Sequence, residues 1–193
     1  MANQKLVLPI NGCRITSGYK NAQYRKTFGF GHFGMDMTDK NRKDYTVWGC
    51  GVGEVLEAGF DPKTGYTVVI RYNNCILADG TVRDVIQRAW HFDSINVKKG
   101  QKITKDTRLG KYGDTGTYAS GKHLHIEFDT DCKYPTYSPT FAGHTSIIKA
   151  GTDSTLNPTN VLYVKETSPD YQSVMGSKES DCWTSADIQF KKY

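Results

Sequence analysis

The stretch HLHIEFD, His123–Asp129, alternates polar and apolar side chains with a period of two. A β-strand has that period: successive side chains point to opposite faces, and residues two apart lie about 6.5 Å from each other on one face. His123, His125 and Glu127 therefore share one face, and Leu124, Ile126 and Phe128 the other. The second face is apolar and belongs against a core. The first carries two imidazoles and a carboxylate, groups that bind metals and move protons.

Working outward, further strand-like runs occupy 5–10 (KLVLPI), 53–60 (GEVLEAGF), 66–72 (YTVVIRY) and 85–92 (VIQRAWHF). Clusters of Gly, Asn, Asp and Pro bound them, as expected for short strands joined by turns. The segment INVKKGQKITKDTRLGKYGDTG reads as further short strands punctuated by Gly100, Gly110, Gly113 and Gly116. No amphipathic pattern is sustained over 12 or more residues, and 19 glycines and 12 tyrosines suit a turn-rich β protein. The sequence thus predicts one all-β domain over 5–165. Within it, the polar, Pro-containing stretch 130–155 reads as a long surface loop, and 166–193 reads as a C-terminal extension.

Composition narrows the function. The 193 residues carry a formal net charge of +5, spread along the chain without a compact Lys/Arg block. That suits a solvated basic surface, or anionic partners such as nucleic acid, a membrane face or an acidic cell wall, and no aromatic-basic motif supports nucleic-acid reading. No run approaches the ~18 apolar residues of a membrane span. The N-terminal MANQKLVLPINGCRI lacks the form of a secretory signal, so the expected route out of the cell is another one, or a leader has been removed. Cys13, Cys50, Cys75, Cys132 and Cys182 form no C-x-x-C pair, which argues against a zinc finger or a regular disulfide framework. Their odd number leaves at least one thiol unpaired within a monomer.

Four of the five histidines fall in short stretches of chemical character: His32 in GHFGMDM, His91 in AWHFDS, and the pair His123 and His125; His144 falls in the loop. His32 and Asp36 offer an imidazole and a carboxylate four residues apart. The surrounding glycines argue against a helix, and on a strand the even spacing puts both on one face. A third ligand from HLHIEFD would complete a His/His/Asp set, and a catalytic zinc site has three such protein ligands plus a water.

Read together, these stretches resemble the lysostaphin-type zinc endopeptidases of bacterial peptidoglycan. The order matches from LPINGCRITSGY through HFGMD, GEVLEAG, GYTVVIRY, HFDS and VKKGQKITKDTRLGKYGDTG to HLHIEF. The resemblance implies an all-β fold of two antiparallel layers, a duplicated hybrid motif of barrel-sandwich type, with an open substrate groove. It further implies one Zn2+ per chain held by His32, Asp36 and His125, with His91 and His123 as catalytic histidines in either order of base and electrostatic partner. Glu127, on the same strand face, is a candidate for orienting a ligand imidazole. Tyr24 or Tyr19 fits the position of a tyrosine that helps hold the oxyanion.

The expected function is zinc-dependent hydrolysis of peptide bonds in the stem or cross-bridge of peptidoglycan, at the cell wall and outside the cytoplasm, with a phage lysin or virion component as one setting. The partner is the peptidoglycan peptide, with neither nucleic acid nor membrane. A non-catalytic wall-binding or regulatory domain of the same fold is the alternative. The chain departs from the family in having Ala89 where a tyrosine is usual. It also has extra residues NNCILADGTVRDVIQ before His91, suggesting a longer hairpin, and the insertion at 130–155.

Overall fold

A computed structural model describes residues 2–29, 31–133, 153–164, 171–173 and 190–192. Strands dominate: β1 (Leu6–Val7), β2 (Cys13–Ser17), β3 (Met35–Asp39), β4 (Thr46–Trp48), β5 (Gly53–Asp61), β6 (Gly65–Ile76) and β7 (Val82–Ile95). They continue with β8 (Lys102–Ile103), β9 (Arg108–Tyr112), β10 (Leu124–Asp129), β11 (Thr155–Leu156), β12 (Leu162–Val164), β13 (Tyr171–Ser173) and β14 (Lys191–Lys192). One short helix, α1 (Ala22–Phe28), follows β2. Among the described residues no helix is long and apolar enough to cross a membrane.

The main sheet runs β13-β2-β3-β10-β7-β6-β5-β8, antiparallel except where β13 joins β2. The additional residues 73–87 lengthen the hairpin of β6 and β7, as the sequence suggests. A smaller parallel sheet, β1-β12-β14, collects segments from both ends of the chain. The predicted loop and extension lie largely outside the described residues, as does His144. Their described parts add β11 beside β10, β13 beside β2 and β14 beside β12.

β7 is the strand that shapes the site. Its residues 86–90 pair with β10, whereas Phe92, Ser94 and Ile95 pair with β9. The partner changes at His91, whose φ of 66° places a non-glycine residue in the left-handed region. The segment between β9 and β10 closes the fork: Gly113 N–H donates to His91 O (2.6 Å) and His123 N–H donates to Gly113 O (2.9 Å).

Along β10 the alternation holds. Leu124, Ile126 and Phe128 are buried in the core with Met35, Met37, Ile70, Ala89 and Tyr72. The other face is buried too, by charge: Arg88 lies opposite Glu127 in register and is 1% exposed. Its Nη2 is 2.9 Å from Asp129 Oδ2, and its Nη1 3.5 Å from Glu127 Oε2. Removing one member of a buried ion cluster leaves the others desolvated without compensation. Arg88→Ala is therefore expected to lower the unfolding free energy in urea by ~3–5 kcal/mol, with partial recovery when Glu127→Gln is added.

Candidate metal centre

His32, Asp36 and His125 converge from two elements. Asp36 is on β3, and His125 lies directly opposite it in the β3–β10 register. His32 is not on a strand, contrary to the reading that placed it on one face with Asp36. The chain from Gly31 to Gly34 is irregular and folds His32 back toward Asp36. Gly34 makes this approach feasible. A Cβ there would stand 2.3 Å from Ile126 O and 2.7 Å from His125 Nε2, inside any van der Waals contact.

The ligating atoms meet at one point. His32 Nε2 lies 3.2 Å from Asp36 Oδ1 and 3.1 Å from His125 Nδ1, and His125 Nδ1 lies 2.8 Å from Asp36 Oδ1. Ligands around a tetrahedral zinc with bonds of 2.0–2.1 Å stand about 3.3 Å apart, so the spacing is that of a zinc site closed up slightly. Hydrogen-bond partners settle which nitrogen carries a proton, because carbonyl oxygens only accept. His32 Nδ1–H donates to Gly18 O (2.8 Å), with Ser17 Oγ at 3.1 Å, leaving a lone pair on Nε2. His125 Nε2 is 3.3 Å from Glu127 Oε1; donation there leaves the lone pair on Nδ1. With His32 Nε2, Asp36 Oδ1 and His125 Nδ1 converging and the other nitrogen of each ring engaged, the cluster is a donor set that suits zinc.

The electrostatics agree. Burial opposes ionisation of Asp36, yet the surrounding imidazoles of His32, His123 and His125 hold its carboxyl well below the usual range. Burial also works against the charged form of His125, but hydrogen bonds to Asp36 and Glu127 push it up to about 9. Both effects belong to a cavity that stabilises positive charge at its centre.

His91 and His123 stand beside this cluster, their rings 4.8 Å apart. His91 Nδ1–H donates to Thr115 O (2.9 Å) and His123 Nδ1–H to Gly121 O (2.7 Å), so each has a lone pair on Nε2. His123 Nε2 is 3.7 Å from Asp36 Oδ1. Burial pushes His91 down to about 4, so it is neutral at physiological pH.

Of the two candidate tyrosines, Tyr19 is turned to Thr155, its hydroxyl 2.8 Å from Thr155 Oγ1. Tyr24, on α1, stacks on His32 with ring centroids 4.6 Å apart and lines the groove. Asn21 caps α1 by accepting from Tyr24 N–H (2.8 Å) and donates to Gly18 O (2.8 Å), tying the helix to the loop that holds His32. Reading the sequence only for long helices misses this one, although Asn21 is a visible N-cap. Trp90, stacked on His125 at 4.4 Å, and Tyr118 are further groove residues that the motifs do not single out. The groove has a volume of about 770 Å³.

Comparisons with known proteins bear on this geometry. The sequence model of Peptidase family M23 matches residues 30–136, more than half of the chain. Stage II sporulation protein Q of Bacillus subtilis (strain 168) is 31% identical over 99 residues, covering 51% of this chain and 32% of that protein. Peptidoglycan DD-endopeptidase ShyA of Vibrio cholerae serotype O1 is 36% identical over 81 residues, covering 42% of this chain and 16% of that protein. The chain therefore spans a third or less of these curated relatives. A zinc containing peptidase from Vibrio cholerae has a similar crystal structure, with a TM-score of 0.53 and 27% identity over 65% of this chain and 37% of that one.

Two outcomes are expected from the geometry. Gly34→Ala should lower both thermal stability and zinc affinity, the latter at least tenfold against a competing chelator, because the new methyl meets Ile126 O as well as the ring of His125 and must push the 31–34 segment off β10. At position 91, His91→Gly should be more stable to thermal unfolding than His91→Ala by about 1 kcal/mol, since only glycine adopts a left-handed φ without strain.

Proposed function

The chain belongs to peptidase family M23, and on that premise we propose that it is a zinc-dependent endopeptidase that hydrolyses peptide bonds in bacterial peptidoglycan. The observation that carries this reading is the convergence of His32 Nε2, Asp36 Oδ1 and His125 Nδ1, with the other nitrogen of each imidazole already engaged. Among the described residues three ligands rather than four converge, which would leave a position open on the metal, as in catalytic rather than structural zinc sites.

In this proposal His32, Asp36 and His125 hold the metal, which lowers the pKa of a water toward ~7 and polarises the scissile carbonyl. Glu127 fixes the ring of His125 and is itself held by Arg88. With Nδ1 of His91 and of His123 engaged by main-chain carbonyls, Nε2 of each is left for the groove, where one would take a proton from the attacking water and an imidazolium would return it to the leaving amine. Thr115 and Gly121 carbonyls fix the orientation of both rings. Tyr24 is the candidate to donate a hydrogen bond to the developing oxyanion: burial raises the pKa of its phenol, which therefore keeps its proton. Residues 5–165 form the catalytic domain in this proposal, and the site of action is the cell wall.

Similarity to Stage II sporulation protein Q, and in fold to the SpoIIQ-SpoIIIAH pore forming complex, favours a second reading, a binding role for the same fold. The presence of all three ligands and both groove histidines in one cluster supports the first.

The two readings separate on purified peptidoglycan. The zinc-loaded protein should release new amino groups, lose that activity with a chelator, and regain it with zinc. His91→Ala should keep about one zinc per chain but lose at least a hundredfold in rate, the lower range for a general acid–base group. Asp36→Ala should lose the zinc itself. A zinc-loaded chain that frees no amino groups from any peptidoglycan type would instead support the binding role.

A further inference from the structure

Two cations line the groove, Lys122 and Arg42. Lys122 is neutralised by Asp93, Nζ to Oδ2 at 2.6 Å. The guanidinium of Arg42 has no hydrogen bond or ion pair among the described residues. Its backbone, by contrast, is tied down. Arg42 N–H donates to Asp39 O (3.0 Å), and the Tyr45 hydroxyl donates to Arg42 O (3.2 Å). Arg42 holds a left-handed φ of 54°, and Asp39 Oδ2 accepts from the N–H groups of Asn41, Lys43 and Asp44 at 3.1, 2.8 and 3.3 Å. A turn so constrained holds the base of the arginine side chain at the groove rim.

Thr38 is the second observation. It lies two residues beyond Asp36 on β3 and lines the same groove, with Met37 between them pointing into the core. Thr38 is 6% exposed, and its hydroxyl has no hydrogen-bond partner among the described residues. A buried hydroxyl in that state is disfavoured. Arg14, opposite Thr38 in the β2–β3 register, adds a guanidinium with no ion pair among the described residues. The groove beyond Asp36 thus carries one cation, Arg42, and one hydroxyl, Thr38, that have no side-chain partner among the described residues.

We propose that Thr38 and Arg42 form a subsite for a carboxylate of the substrate. This rests on the peptidase reading above and assigns the substrate class: peptides with an acidic group on one side of the bond cut. Asp36 and Thr38 are about 6.6 Å apart along β3, the rise of two residues in an extended peptide. The carboxylate therefore belongs about two residues from the reacting carbonyl. Arg42 recognises it as a planar pair of acceptors, and the Thr38 hydroxyl donates to one of its oxygens.

The test uses the full zinc-loaded chain and two probes: a peptidoglycan peptide with free side carboxylates, and the same peptide with them amidated. Wild type should favour the free acid by about tenfold in kcat/KM, mainly through KM, the scale of one charge-assisted hydrogen bond. Arg42→Gln should bring the ratio between the two peptides to about one. Thr38→Val, nearly the same in shape, should reduce the ratio while the protein stays as stable as wild type. A tenfold preference that survives Arg42→Gln, or no preference in wild type, overturns the subsite. If neither peptide is cleaved, the peptidase reading fails, and calorimetric binding of the two probes decides the subsite separately: tighter binding of the free acid that Arg42→Gln abolishes supports it, and equal binding overturns it.

Discussion

The close packing of the 31–34 turn onto β10 is the contact on which the site depends. It brings Gly34 under Ile126 O and against the ring of His125, where no side chain fits. That approach sets the 3.1 Å between His32 Nε2 and His125 Nδ1, atoms from residues 93 apart in sequence. A strand ladder alone does not bring two imidazoles this close to a buried carboxylate. The scaffold holds them there with a main-chain acceptor behind His32, Glu127 behind His125 and a packed core behind both. A site whose carboxylate and imidazoles already stabilise positive charge at one point is preorganised for a cation.

The fork in β7 does comparable work for the two remaining histidines. Strand pairing would carry residue 91 along the sheet; the left-handed φ instead breaks the register between β10 and β9. The break is held by Gly113 N–H on His91 O and by His91 N–H on Thr64 O (2.9 Å). Local strain of this kind persists where surrounding structure over-determines it. Here it directs one imidazole toward another, at the place where the sheet opens into a groove.

Much of this was legible in the sequence, and the limits are instructive. HLHIEFD declared its two faces because strand periodicity is local, and the core residues Leu124, Ile126 and Phe128 lie where the alternation puts them. The long β6–β7 hairpin followed from the residues inserted before His91. Family resemblance brought the histidines and Asp36 into one set, and the structure gathers them in one groove. By contrast, the position of His32 in a turn depends on a tertiary approach that spacing cannot show. The carbonyls of Gly18, Thr115 and Gly121 that fix the imidazoles are main-chain groups, so residue type carries no trace of them. Arg88 gave no signal either: an arginine in a strand reads as solvent-facing until its partners on β10 are known. The β13 and β14 segments join by parallel pairing from a polar tail whose pattern does not announce strands.

The central claim is that His32, Asp36 and His125, and no other side chains, hold a single zinc with one position left open. X-ray absorption at the zinc edge of the metal-loaded protein tests it most directly. The account predicts a first shell of nitrogen and oxygen at about 2.0–2.1 Å, with two imidazoles and no sulfur. A shell containing sulfur at about 2.3 Å would mean that cysteine supplies a ligand, and would contradict the account.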